Sequence, residues 1–597
     1  MSFSPAVAVA VAGAAALGAL HPARPSLGAG LAVVVLALVG RQNGLLILAV
    51  GLMVSGLAQR SLDGLAGVRP GPWAGEVELV SDPVPSFGGL RVDVRVGGHR
   101  LEARAEGPAA EALQGRLAGE VMTVRGAVTA VPPEATWLVP RHIGGRLRLS
   151  RVERWHPGSG PSQVANALRR TLTAGAASMS PRQRALYTGL VIGDDRAQPV
   201  GLADDFRGAG LTHLLAVSGQ NVSFVLALAS PVLRRLRLWP RWFLTLGLIG
   251  MFGLVTRFEP SVLRASALAA LATLVTTTGH APARVTVLGW ACAGLLMIDP
   301  LLVHSVGFRL SVAAAAAIVV LAPRLQEVLP GPALFREAMA VTLAAQLGVA
   351  PVLLATFGPI PVASLPANLL AVPVAGAIMV WGLTAGLVAG VAGPSVAWLL
   401  QLPTGAGLAW LEAVAHHLAQ ASLGELGGGE VVALGVGLAV AAVGARRVEW
   451  VRQAGLLVAG TAVLVAVVAA RAPPPLRASV TTGVTVWREG SSALVVLSDA
   501  GGGRSVGSAA VLEGLRRSGI DRIGLVVVAD SSVSPEVVAD VLQGHPTGGV
   551  VTADPGTLGP VGVPVARPPP GGGMEVGRLA VRITALPERL VVDARPR

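Results

Sequence analysis

Thr212, His213, Ser218, Gln220 and Asn221 crowd hydrogen-bonding side chains into the mouth of a long apolar run. Hydrocarbon offers such groups no partner, and leaving one bare there costs roughly 2–7 kcal/mol. They must line an aqueous path, hold a ligand, or knit helix to helix. Gly219, between Ser218 and Gln220, suits a broken helix whose freed amides could meet an anion. His213 could touch a phosphate or a base, or respond to pH, and it could equally bridge two helices. Arg264 and Arg309 stand near the starts of later apolar runs. A polyanion would be a natural partner for cations buried in a membrane, and snorkelling to headgroups is the plainer alternative. Asp194, Asp195 and Arg196 read as a local cap and ion pair rather than as catalysts.

These residues sit in a chain of 597 that is 52% apolar and only 14% charged, with a mean hydropathy of +0.64. Soluble chains carry about 25% charged residues, so the composition is that of a polytopic membrane protein. All 47 basic residues are Arg, which looks like the codon bias of a GC-rich genome. Without Lys there is no Gly-x-x-x-x-Gly-Lys-Ser/Thr loop, and nothing in the chain supplies energy. Of the net charge of +13, +8 lies in residues 156–476, where most of it is ordinary loop charge beside membrane spans. A pI of 11.4 is therefore weak evidence for nucleic acid. The single Cys292 excludes an intrachain disulfide and a thiolate metal cage. Met1–Ala6 lacks a basic region, so Val7–Leu20 reads as a first span rather than a cleaved signal.

Four blocks position the polar cluster. Residues 1–60 hold N-terminal transmembrane helices, in apolar runs near 5–20, 27–40 and 44–58. Residues 70–155 alternate apolar with charged side chains at Glu76–Val80, Leu90–Val96, Arg100–Arg104, Val121–Arg125 and Arg146–Ser150, with a helix expected at Ala109–Leu117. Short strands at that density suit an OB-like β-barrel. Its aromatics Trp73, Phe87, Trp137 and Trp155, with Arg141, His142, Arg146, Arg148, Arg151 and Arg154, could form a surface for single-stranded DNA; a solvated strand face is equally consistent. Residues 156–470 open with an amphipathic stretch, 162–192, and continue through apolar runs near 212–233, 242–256, 261–278, 284–298, 304–322, 338–357, 361–391, 395–420, 430–445 and 453–470. Together with the first block this gives roughly 11–13 spans. Residues 477–597 follow the Ala472-Pro-Pro-Pro475 linker and read as an α/β domain, with strands at Ala493–Leu497, Ile523–Val528, Gly549–Thr552 and Leu579–Thr584 and helices at Ser508–Ser518 and Pro535–Leu542. The basic loops at Arg234, Arg235, Arg237 and Arg241 and at Arg446, Arg447 and Arg452 belong in the cytoplasm. Counting spans from them puts both soluble blocks on the extracytoplasmic side.

The run Tyr187-Thr-Gly-Leu-Val-Ile-Gly-Asp-Asp-Arg196, followed by Phe206-Arg-Gly-Ala-Gly-Leu-Thr-His-Leu-Leu-Ala-Val-Ser-Gly219, resembles the core motif of the ComEC-type competence channels. Further matches follow in order: Ser261-Val-Leu-Arg-Ala265, Asp299-Pro300, Gly307-Phe-Arg-Leu-Ser311, Gln346 with Pro351, and Asn368-Leu-Leu-Ala-Val-Pro373. Trp137-Leu-Val-Pro-Arg-His-Ile143 resembles the end of the family's OB-like domain. The resemblance implies import of single-stranded DNA across the bacterial plasma membrane during natural transformation. It also implies an extracytoplasmic DNA receptor and a cytoplasmic helicase-like motor as partners, beside membrane lipids. His213, Ser218, Gln220, Asn221, Arg264, Arg309, Gln346 and Asn368 would line the DNA path, while Asp194, Asp195, Arg196, Thr212 and Gly219 would hold the motif. The surface at Arg141, His142, Arg146 and Arg148 would meet DNA first. Gln220-Asn221 stands where the family often has Gly-Leu-His, which speaks against a proton-coupled role there.

One departure concerns the last block. Many relatives end in a metallo-β-lactamase-like domain, whose chemistry needs a His-x-His-x-Asp-His cluster converging on metal. Leu497-Ser-Asp-Ala-Gly-Gly502 resembles an early turn of that fold, yet the expected ligand turn reads Ala529-Asp-Ser-Ser-Val-Ser-Pro535, and His545 is the block's only histidine. The expectation is a degenerate, metal-free domain, no cofactor, and a channel rather than an enzyme. A secondary transporter of a small solute is the alternative, which inverted repeats would favour. A membrane-bound hydrolase is disfavoured by the missing ligands.

Overall fold

The computed structural model describes residues 4–24, 27–40, 42–65, 68–86, 89–132, 135–277, 283–421, 423–444, 448–469, 476–489, 492–498, 507–518, 520, 522–530, 533–558, 562–569, 572–585 and 589–596. Phe87, Arg446, Arg447, the 472–475 linker, Gly501, Gly502, Ser531 and Ser532 lie outside them.

Three apolar helices open the chain: α1 (Pro5–Leu20), α2 (Leu27–Val39) and α3 (Asn43–Leu65). Small residues let α1 and α3 pack backbone to backbone, since a Cβ added at Gly18 would lie 2.1 Å from the Gly51 carbonyl oxygen.

The alternating block folds as β1 (Gly71–Leu79), β2 (Val84–Ser86), β3 (Gly89–Val96), β4 (His99–Glu106), α4 (Pro108–Leu113), β5 (Val121–Thr129) and β6 (Ile143–His156). The order is β1-β5-β6-β4-β3-β2, and a further β1–β3 pairing closes it into a barrel. The β4–β6 pair is parallel and its neighbours are antiparallel. Alternation decides which side faces in: Val92 and Val94 are buried in the core, with Leu79, Leu101, Met122 and Leu147. The expected helix at 109–117 stops at Leu113, because Gly115 turns the chain with φ 73°.

The amphipathic stretch divides into α5 (Gly160–Gly175) and α6 (Pro181–Ile192), because Ser180 caps a new helix whose first residue is Pro181. Then come α7 (Val200–Gly208), α8 (Gly219–Leu233), α9 (Leu238–Val255), α10 (Pro260–Thr277), α11 (Arg284–Ile298), α12 (Val306–Val328), α13 (Ala333–Thr356), β7 (Ile360–Pro361), α14 (Ser364–Ala392), α15 (Pro394–Gln420), β8 (Glu425–Leu426), α16 (Gly428–Gly444) and α17 (Glu449–Ala469). Among the described residues six helices, namely α3, α9, α12, α13, α14 and α17, are long and apolar enough to cross a membrane, and α1, α8, α10, α11 and α16 are shorter apolar helices. The chain is a polytopic membrane protein.

The last block comprises β9 (Arg477–Thr481), β10 (Val484–Glu489), β11 (Ser492–Leu497), α18 (Ser508–Arg517), β12 (Leu525–Val528), α19 (Pro535–Gly544), β13 (Val550–Thr552), β14 (Val565–Ala566), β15 (Gly573–Val576), β16 (Leu579–Ala585) and β17 (Leu590–Pro596). Strands β11 to β14 run parallel, and β10 and β9 extend the sheet antiparallel. Helices α18 and α19 pack on one face through Val511, Leu515, Val538 and Val541. The sheet β15-β16-β17 covers the other through Val581 and Ile583.

Candidate functional site

The apolar run at 212–233 is broken. A short 3-10 turn, Thr212–Leu214, leads into an extended Ser218 (ψ 162°), and α8 begins at Gly219. Three side chains pin the break by backbone carbonyls. Gln198 donates to Leu215 (2.9 Å), Ser261 to Val217 (2.9 Å), and Asn221 to Leu190 (3.1 Å). The Ser218 hydroxyl donates to the Asn221 side-chain oxygen at 3.2 Å. Gly189 is needed here, because its Cβ would fall 2.6 Å from the Leu215 carbonyl oxygen.

The break frames a cleft lined by His213, Ser218, Gln220 and Asn221 on one side and by Val372, Ala375 and Gly376 of α14 on the other. Its free volume is about 10 Å³, room for roughly one water. Thr212, His213 and Gln220 are exposed, and none has a side-chain hydrogen bond among the described residues. The remaining expected path residues fall elsewhere. Arg264 sits behind the start of α8: its Nε donates to the Ser311 hydroxyl, and its Nη would lie 2.8 Å from a Cβ at Gly219. Gln346 and Asn368 meet at Ser364, whose hydroxyl accepts from Gln346 (2.9 Å) and whose carbonyl accepts from Asn368 (2.7 Å). Ser364 abuts Gly210 just before the break. Arg309 is exposed on the first turn of α12, apart from these groups.

Asp194 and Arg196 take part in a larger buried network that the sequence reading did not assemble. Arg169, 2% exposed, donates to the carbonyls of Ile192 (2.7 Å) and Val255 (2.6 Å) and to the carboxylate of Asp82 (2.8 Å), with Asp194 at 3.3 Å. Asp82 also receives Arg257 (3.1 Å) and the Ala118 amide (2.8 Å). Arg196 grips Asp194 through two bonds (2.7 and 2.6 Å) and reaches the Pro83 carbonyl (3.3 Å). Burial pushes the Asp82 carboxyl up, yet Arg169 and Arg257 hold it below the usual carboxylate range. Asp194 is likewise pushed up by burial and held low by Arg196 and Arg169. Asp195 is pushed up by burial, which its backbone hydrogen bond and Arg196 offset only in part. One signal pointed to Arg169: it interrupts an apolar stripe of α5 at Ala165, Leu172 and Ala176.

On the barrel, the four expected contact residues are each paired with a carboxylate. Arg141 bonds Asp93 and Glu102, Arg146 approaches Glu102 (3.5 Å), Arg148 approaches Glu106 (3.6 Å), and His142 meets Asp299 (3.0 Å). Trp155 lies under Arg116 at 4.1 Å. In the last block, among the described residues, no group of three His, Cys, Asp or Glu side chains gathers to hold a metal.

Fold and site together define a polytopic membrane protein with a polar break in a helix and β-sheet domains before and after its main helical block. Residues 190–448 match the family described as Competence protein, a segment that contains the break and its cleft. Over that segment the chain is similar to the ComEC-type competence proteins. It is 29% identical over 234 residues to the uncharacterized protein YcaI of Escherichia coli (strain K12), covering 36% of this chain and 30% of that one. It is 26% identical over 197 residues to ComE operon protein 3 of Bacillus subtilis (strain 168), covering 33% and 25%. The chain thus spans less than a third of the length of either relative. No solved structure matches it.

Proposed function

We propose that this chain takes part in DNA uptake for competence and passes one strand of DNA across the plasma membrane as a channel without its own energy source. The observation that carries the reading is the cleft at the broken helix, inside the family-matched segment, with exposed His213 and Gln220 beside the start of α8. A helix N-terminus backed by Arg264 suits a phosphodiester, because free amides and a guanidinium both favour negative charge. With room for about one water, the cleft is closed and would widen for a strand. The barrel has the strand order and the helix position of an OB fold, which supports an OB-like domain that meets DNA first. The last block, read as a degenerate metallo-β-lactamase-like domain, contributes no nuclease chemistry in this proposal. Both soluble domains face away from the cytoplasm, an outer receptor delivers DNA, and a cytoplasmic helicase-like motor draws the strand in.

The test is uptake of labelled linear DNA in a deletion strain. It is complemented with the wild type or with His213→Ala/Asn221→Ala at equal membrane levels. Entry into the cytoplasm is expected to fail only with the double variant. If deletion itself leaves uptake intact, the channel reading falls and transport of a small solute takes its place.

A further inference from the structure

At the base of the barrel lies a cavity of about 240 Å³, walled by Ser61, Gly64 and Leu65 from the end of α3 and by His99, Arg100 and His142. Arg100 is the second residue of β4 and is half-buried, yet its guanidinium has neither an ion pair nor a hydrogen bond among the described residues. Burial, and then Arg95, oppose its charge, while Asp299, Asp93 and Glu78 favour it from beyond contact distance. A planar fork with five donors in such a place lacks the acceptor it is shaped for. His99 is exposed and likewise unpartnered among the described residues. His142 is held in the left-handed region (φ 59°) with Nε2 against Asp299, which leaves Nδ1 free among the described residues. The nearest acid on α3, Asp63, is already taken by Arg24 at 3.4 Å.

The setting identifies the kind of anion. The cavity floor is the last turn of a helix apolar enough to cross a membrane, so it sits where that helix leaves the bilayer. Trp137, 59% exposed, lies on the 3-10 turn that leads to His142, the position of an interfacial anchor. We propose that this cavity binds the phosphate headgroup of an anionic phospholipid, with Arg100 as the principal contact and His99 and His142 flanking it. The chemistry is that of any phosphate ester; the apolar helix beneath it selects a lipid as the source. The proposal is independent of whether DNA crosses the membrane through this protein.

The full chain would be placed in nanodiscs of neutral phosphatidylcholine with and without phosphatidylglycerol, and its thermal melting and lipid retention by native mass spectrometry measured. Phosphatidylglycerol is expected to raise the melting temperature and to stay bound. Arg100→Gln should weaken retention roughly tenfold or more, the loss of a charge-assisted contact, with melting in neutral lipid unchanged. Gly64→Leu is a second variant that keeps the charge. Gly64 lines the cavity and no atom lies within 4 Å of a Cβ there, so a leucine fits without a clash and is expected to crowd out the lipid headgroup. The proposal is overturned if phosphatidylglycerol has no specific effect, or if both variants retain it fully. It is also overturned if inorganic phosphate or an oligodeoxynucleotide, added to neutral discs, produces the same shift, since the site would then serve a free anion or nucleic acid.

Discussion

His213 and Asn221 line one cleft but differ in what holds them. Asn221 is buried and donates to the Leu190 carbonyl, so Asn221→Leu strands that carbonyl and the Ser218 hydroxyl at a cost of about 1–3 kcal/mol. His213 is exposed and makes no hydrogen bond among the described residues, so His213→Ala should leave the melting temperature unchanged. Under the proposed function, both substitutions lower DNA uptake and only the first lowers thermal stability. Melting curves beside uptake assays separate the two, and a stability loss from His213→Ala would mean that the ring bonds within the fold. The cluster was legible in the sequence because polar groups in an apolar run have few uses. Gln346 and Asn368 were placed with it by resemblance, whereas the fold turns them to Ser364, a residue whose type gives no warning. Arg169 carried a readable signal, a cation on an apolar stripe, while its partner Asp82 lies 87 residues away and no local pattern links the two.

The elements around that pair form a latch between the barrel and the helical block. Asp82 follows β1, Arg169 is on α5, Arg257 joins α9 to α10, and Asp194 with Arg196 follows α6. Arg257 and Phe258 are held at φ 60° and 52°, which costs side-chain-bearing residues roughly 1–2 kcal/mol each. The contacts of Arg257 with Asp82 and with Asn166 (2.9 Å) offset that strain. Removing one member leaves buried charge uncompensated, so Asp82→Asn should destabilise the fold by about 3–5 kcal/mol, read as a lower melting temperature in detergent. Both carboxyls have folded-state pKa values below their ordinary ones. Their contribution is therefore complete above about pH 4, the unfolded value, and is lost as pH falls through the lower folded values. Melting temperature should stay flat from pH 7 to about 5 and drop only below about 4, and a fall near pH 6 would exclude this latch as the cause. Most apolar runs were legible to within a few residues, since length and hydropathy define them, but α3 and α12 continue six or seven residues past the expected ends, through Arg60 and Asp63 and through Arg324 and Glu327, where the apolar pattern stops and the helix does not. The division of 162–192 rested on one Ser-Pro cap within an otherwise continuous amphipathic pattern, and β2, β14 and β15 are too short to carry a period of their own.

At the scale of the molecule, both soluble domains hold the segment that leads into the cleft. The barrel holds it through Arg196 on the Pro83 carbonyl and through Arg169, which joins Asp82 to Asp194, and the last domain docks on α7, a few residues before the break. Arg516 of α18 faces Asp204 at 3.8 Å, Glu513 faces Arg207 at 3.7 Å, and Val200 packs against the domain's core. On the far side of α7, Asp205 meets His416 of α15 at 3.1 Å. The composition announced a soluble block after the 472–475 linker but not its seat, because pairs more than 300 residues apart leave no periodic trace. Arg516 and Asp204 are mostly shielded from solvent, so Arg516→Glu sets like charges together at a cost on the order of a few kcal/mol. That is enough to raise the undocked population at least roughly tenfold. Protease should then cut between α17 and β9 correspondingly faster, with the released domain still folded, and Asp204→Arg combined with Arg516→Glu should slow the cut again. Equal cutting rates in wild type and Arg516→Glu would mean that the contact does not hold the domain. Slow cutting in the charge-swapped protein, with uptake regained, would tie docking on α7 to the cleft that follows it.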